Sequence, residues 1–175
     1  MRRNVVRRSI LLVFAALALP TAIFVSALPA SAVSNPHLCE TNGSYCLGSQ
    51  PDIGVARLVT EQSPGRNLVL TPLGGRYDNY PTYLIQFSAD PTKCVGTDNT
   101  NVIMIRPCSN GIGIVWAQQY IGTSGNLAEY QYINRAASNY YGDTEYLSGV
   151  NRAGAVFYTR PSGRTGVYYK FSWKS

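Results

Sequence analysis

Two tyrosine-rich segments carry the side chains best suited to hold a ligand. One is Gly74-Gly75-Arg76-Tyr77-Asp78-Asn79-Tyr80-Pro81; the other is Ser138-Asn139-Tyr140-Tyr141-Gly142-Asp143-Thr144. In each, phenol rings stand beside short carboxylates and amides. Such a loop stacks an aromatic face on the C–H face of a sugar while the carboxylate or amide takes its hydroxyls. The same residues also suit a protein surface, since tyrosine offers large contact area at low rotamer cost. The plainer reading is that Asn, Asp and Gly form turns and the tyrosines cover the ends of a barrel. The candidate binding residues here are Tyr77, Asp78, Asn79, Tyr80, Asn139, Tyr140, Tyr141 and Asp143.

Catalysis has little to work with. His37 is the only histidine, so no reaction needing two is available, and its place beside Pro36 reads as a solvated or strand-edge residue. The acids Glu40, Asp52, Glu61, Asp78, Asp90, Asp98, Glu129, Asp143 and Glu145 are scattered, mostly in turns. A hydrolase needs an oriented base beside its nucleophile, or two carboxylates at a set separation. Glu129 and Glu145 flank one expected hairpin and read as solvated. Neither an enzyme nor a cofactor is expected.

The chain opens with MRRNVVRRS, then the apolar stretch Ile10 to Val25, then SALPASA. A basic start, an apolar segment of 16 residues and the small-residue site Ala30-Ser31-Ala32 predict a signal peptide over 1–32. The stretch is short of the roughly 17 to 25 residues of a membrane span. Of the chain's net charge of +6, four positive charges are Arg2, Arg3, Arg7 and Arg8. The remaining 33–175 would then hold 11 basic and 9 acidic residues, a balance of +2. So weak a charge leaves no footprint for nucleic acid, nor for an anionic membrane after signal cleavage.

All four cysteines follow the signal: Cys39, Cys46, Cys94 and Cys108. An even number in an exported chain predicts disulfides. Of three possible pairings, Cys39–Cys46 and Cys94–Cys108 are preferred because each brackets a turn, at Glu40-Thr41-Asn42-Gly43 and Thr97-Asp98-Asn99-Thr100. A metal site is not expected, because neither C-x2–4-C spacing nor a histidine pair is present.

These groups need a scaffold, and its elements are strands. The 13 tyrosines accompany short Val, Ile and Thr runs that Gly, Pro, Asn and Asp interrupt. No apolar face at helical spacing lasts three turns, which predicts an all-β chain with almost no helix. Three tetrapeptides share a pattern: Tyr45-Cys46-Leu47-Gly48, Lys93-Cys94-Val95-Gly96 and Glu145-Tyr146-Leu147-Ser148. A second strand follows each, at 55–59, 101–107 and 155–161, with Arg-Pro closing the last two. A third follows, at 67–73, 114–121 and 167–173. Strands at 82–89 and 127–135 open the later units, and a short one near His37-Leu38-Cys39 opens the first. Three four-stranded units, near 33–80, 81–123 and 124–175, describe a β-trefoil in a single domain. A β-sandwich is the alternative fold. Trp116 and Trp173 are expected to close the core.

From Cys94 to Trp116 the chain resembles the ricin-B-type trefoil lectins. Cys94-Val95-Gly96, Asn101-Val102-Ile103-Met104-Ile105, Cys108-Ser109-Asn110-Gly111 and Trp116 follow that family's order of motifs. The resemblance implies a β-trefoil and a disulfide between Cys94 and Cys108. It also implies sugar binding, but the family's aspartate two residues after the first cysteine is replaced by Gly48, Gly96 and Ser148. The glutamine of the Q-x-W signature is replaced by Ile114. Asp98 and Asn101 lie in the hairpin where such a lectin holds its sugar and are candidate substitutes.

The reading is therefore a secreted, monomeric, non-catalytic protein that binds a glycan. The alternative is an extracellular protein ligand, as for a protease inhibitor baited by Gln62-Ser63-Pro64-Gly65-Arg66 or Arg76-Tyr77, or a structural role at the cell surface.

Overall fold

The computed structural model describes residues 36–49, 58–62, 66–97, 101–109 and 111–174. The expected signal peptide, the turn residue Asp98 and the bait residues Ser63 to Gly65 lie outside the described residues.

Each unit contributes four strands. The first holds β1 (His37–Glu40), β2 (Tyr45–Ser49), β3 (Leu58–Gln62) and β4 (Leu68–Tyr77). The second holds β5 (Tyr80–Phe87), β6 (Asp90–Gly96), β7 (Met104–Pro107) and β8 (Trp116–Ser124). The third holds β9 (Leu127–Asn134), β10 (Tyr146–Ser148), β11 (Tyr158–Arg160) and β12 (Phe171–Lys174).

Strand pairing runs β1-β12-β9-β8-β5, with β4 on β5. The circle closes where the Leu68 amide donates to the Pro36 carbonyl at 2.9 Å and His37 bridges Asn67. These six strands form a barrel. The hairpins β2–β3, β6–β7 and β10–β11 attach to it through equivalent pairs, Cys39 opposite Cys46, Gln86 opposite Cys94 and Ile133 opposite Tyr146. The fold is a β-trefoil.

The same symmetry governs the core. Leu47, Val95 and Leu147 are the apolar residues of the three matching tetrapeptides, and all are fully buried. Leu38, Ile85 and Tyr132 line the barrel from the opening strands; Leu68, Trp116 and Phe171 line it from the closing ones. Fully burying a side chain of this size is worth about 1.5–3 kcal/mol, so no single unit holds enough of them to fold alone. The polar atoms of the two core rings are paired, whereas His37 Nδ1, Glu40 Oε2, Glu145 Oε2 and Tyr168 Oη are buried without a hydrogen-bond partner among the described residues. Trp116 Nε1 donates to the Val95 carbonyl at 2.8 Å, and Tyr132 Oη accepts from Gln118 Nε2 and Trp173 Nε1, both at 2.8 Å. Burial pushes the Tyr132 phenol well above the usual tyrosine range. Trp116 closes the core as expected, whereas Trp173 packs against it only half-buried.

Both disulfides form as expected, Cys39–Cys46 and Cys94–Cys108. Cys39, Cys46 and Cys94 are buried, and Cys108 is half-buried.

Four sequence expectations need correction. The closing strand of the third unit begins at Phe171, and Tyr168 contributes only an isolated bridge to Gly149. His37 is buried within β1, where it pairs with Lys174. Glu129 and Glu145 are also buried; Glu129 faces Lys170 in an ion pair of 3.7 Å. Finally, a helix, α1 (Arg135–Tyr141), occupies part of an expected loop, and a 3-10 turn spans Gly111–Ile114.

Helix α1 has only seven residues, so neither propensity nor periodicity would sustain it alone. Its ends do. Asn134 caps the N-terminus, with Oδ1 accepting from the Ala137 amide at 2.9 Å. Gly142 ends the helix at φ 71°, a conformation that costs glycine nothing. Between these caps Ala136 and Ala137 bury against the body of the protein.

Candidate functional site

The first tyrosine-rich segment is mostly strand. Residues up to Tyr77 belong to β4 and those from Tyr80 to β5, leaving only Asp78 and Asn79 as the turn. Their φ values of 49° and 65° define a two-residue turn whose twist matches the flanking strands, and Asp and Asn tolerate it best after glycine. Arg76 braces the turn, its Nε and Nη2 donating to the Asn79 carbonyl at 3.0 and 2.6 Å.

This hairpin tip meets helix α1. Tyr77 Oη donates to Asn139 Oδ1 at 3.1 Å, joining positions 62 residues apart. The Arg135 guanidinium lies 5.9 Å from the centre of the Tyr77 ring, within the range of a cation–π contact. Sequence reasoning missed Arg135. Its only signal is the four-residue spacing to Asn139, which places both on one helix face once the helix is known.

The two segments enclose a polar cleft of about 540 Å³, lined by Tyr77, Asp78, Ser138, Asn139, Asp143 and Thr144 together with Gly142. Asp143 Oδ1 accepts from the Thr144 amide at 2.7 Å, which aims that carboxylate. Burial raises the Tyr146 phenol, and Tyr80, Asp78 and Asp143 add to the shift. The two carboxylates thus impose a shared negative field on this end of the molecule. Ser138 is already committed: its Oγ donates to the Asn134 carbonyl at 2.8 Å and accepts from the Glu145 amide at 3.0 Å.

Of the expected site residues, Tyr77, Asp78, Asn139 and Asp143 line the one cleft. Asn79 serves the turn through its carbonyl, and Tyr80 is half-buried opposite Tyr77 in the hairpin register. Tyr140 and Tyr141 are exposed at 66% and 43%. Their rings pack edge-to-face at 4.9 Å on the helix and do not line the cleft. Asn101 is bound to the third unit instead, its carbonyl accepting from the Thr159 amide at 2.7 Å. Among the described residues no His, Cys, Asp and Glu group is arranged to hold a metal ion, and no helix is long and apolar enough to cross a membrane.

No protein-family model matches the sequence, and no curated protein matches it. Solved structures do. A designed three-fold symmetric protein, ThreeFoil, superposes with a TM-score of 0.58 at 15% identity, over 80% of this chain and 97% of that one. The chain shares the fold of a designed three-fold β-trefoil. A mosquitocidal holotoxin superposes with a TM-score of 0.59 at 11% identity, over 81% of this chain. The match spans only 17% of the holotoxin's own length. At such identities the likeness concerns the trefoil architecture alone.

Proposed function

We propose that this trefoil is a secreted, non-catalytic, lectin-like protein that binds a glycan in the cleft between the β4–β5 turn and helix α1. The Tyr77–Asn139 hydrogen bond carries the reading, because it joins an aromatic ring and an amide across two units. Asp78 and Asp143 add acceptors for vicinal hydroxyls, and the face of the Tyr77 ring opposite Arg135 takes the sugar's C–H face. Export is supported by the signal-like opening and by two closed disulfides. The site is displaced from the one implied by the ricin-B resemblance, whose acidic residues are missing here.

A protease-inhibitor role is less well supported. Arg76 folds back onto its own turn, and so is not presented as an extended bait.

The test is a broad glycan array with the purified protein, its Tyr77→Ala variant and its Asn139→Ala variant. A dose-dependent signal that both variants lose supports the reading. A blank array from protein that is folded and disulfide-bonded overturns it.

A further inference from the structure

The three-fold symmetry relates three hollows on the outside of the barrel. Each lies where a closing strand's approach meets the next opening strand. One hydrogen bond recurs at all three: Thr41 to the Lys170 carbonyl at 3.1 Å, Ser88 to Asn67 at 3.0 Å and Arg135 to Val115 at 3.2 Å, amide donating each time. The strand registers then make Arg66 equivalent to Ile114, Phe87 to Asn134, Lys93 to Glu145 and Ile105 to Thr159.

In the third unit this hollow is filled from within. The connection between paired positions lengthens from 86–94 to 133–146, five residues more, and the surplus forms α1. Ala136 and Ala137 seal the space, so Ile114, Asn134, Glu145 and Thr159 are all buried.

The second unit lacks the insertion, and the hollow stays open. It measures about 370 Å³ and is lined by Arg66, Asn67, Phe87, Asp90, Lys93 and Ile105, with Ala89. This is at the lower end of the ~300–1,000 Å³ usual for small-molecule sites. Phe87 and Ile105 form an apolar floor continuous with the core. Arg66 and Lys93 stand exposed at the rim. The Asp90 carboxylate stays ionised beside Lys93, with Oδ1 held by its own turn, accepting from the Thr92 amide at 3.1 Å and Oγ1 at 2.6 Å.

We infer that this open hollow is a second saccharide site, selective for an acidic sugar whose ring rests on Phe87 and Ile105 and whose carboxylate meets Arg66 and Lys93. The ligand class rests on the glycan reading; the site is independent of the Tyr77 cleft. Apolar contact supplies area, and the two cations select the anion. The third unit offers no such site, because Ile114 and Glu145 replace the cations and α1 covers them.

Titration calorimetry of the purified protein with a trigalacturonate and with a neutral galactose trisaccharide tests this. Trigalacturonate should bind more tightly than its neutral counterpart, and about 0.5 M salt should weaken it. Arg66→Ala and Lys93→Ala should each weaken it about tenfold or more, and Lys93→Glu should abolish it. Tyr77→Ala should leave it unchanged. Binding indifferent to the Arg66 and Lys93 substitutions overturns the hollow while leaving the glycan reading intact. Array signals at the cleft with no trigalacturonate binding do the same. Failure of every saccharide, acidic and neutral, overturns both.

Discussion

Tyr77 Oη and Asn139 Oδ1 lie 3.1 Å apart although 62 residues separate them. One sits at the tip of the hairpin joining the first two units, the other on the helix inserted in the third. Their bond is the join that turns two surface segments into one cleft.

This bond is exposed, so its worth to stability is small, about 0.5–1 kcal/mol. Its worth to ligand binding is expected to be larger. Tyr77→Phe and Asn139→Ala should each leave the denaturant midpoint nearly unchanged while weakening glycan binding about tenfold. Equal effects on stability and affinity, read by unfolding curves beside titrations, would show that the cleft merely reports folding.

Asn134 is expected to matter to both. Its Oδ1 caps α1, and its Nδ2 donates to the Gly113 carbonyl at 3.0 Å. Asn134→Ala removes the cap and one of two hydrogen bonds to the Gly113 carbonyl, which keeps the Thr97 amide at 3.0 Å, a loss of about 1–2 kcal/mol. Because α1 positions Asn139, binding at the cleft should fall with it. A stable variant with intact affinity defeats this account.

Glu145 gives the fold a pH dependence. Burial pushes its carboxyl above the ordinary value of 4.5, and Asp143 adds to this; Thr159, Arg164 and Arg160 oppose it. The folded chain therefore holds this proton more tightly than the unfolded chain. Its contribution is complete below the unfolded value and is lost as pH rises through the raised folded value. Glu145→Gln removes the titration, so the variant's Tm minus that of wild type should become more positive between about pH 4 and about pH 7. A constant difference across that window rules the carboxyl out as the source.

The two disulfides separate loop length from burial. Their spans of 14 and 7 residues favour Cys94–Cys108 by only about 0.5 kcal/mol in chain entropy. Serine at both Cys39 and Cys46 would bury two hydroxyls, whereas Cys108 is half-exposed to water. An unpaired buried hydroxyl costs about 1–3 kcal/mol, which outweighs the loop term. The Cys39→Ser/Cys46→Ser variant should therefore unfold at lower denaturant than Cys94→Ser/Cys108→Ser. The reverse order would make loop length decisive.

The trefoil was legible because its determinants are local and repeated. Leu47, Val95 and Leu147 sit in three similar tetrapeptides, and each is followed by the same order of strands. The cysteine pairs bracket turns, so short-range geometry was enough to match them. Helix α1 was not legible. Two turns carry no periodicity, and its stability comes from the Asn134 and Gly142 caps and from alanines docking on a distant 3-10 turn. The burial of Glu145 escaped notice for the same reason, since the helix is what covers it.

Sequence alone determined the strand-rich units, their number, the disulfide partners and the residue types offered to a ligand. Each is set by patterns within a few tens of residues. Tertiary structure alone decided which tyrosines face a cleft and which face solvent, and that the second unit's hollow stays open while its counterpart in the third is filled. Those outcomes depend on barrel closure and on a five-residue insertion whose effect appears only when the third unit packs against the second. Contacts between residues so far apart are fixed by the shared core, and no local pattern encodes them.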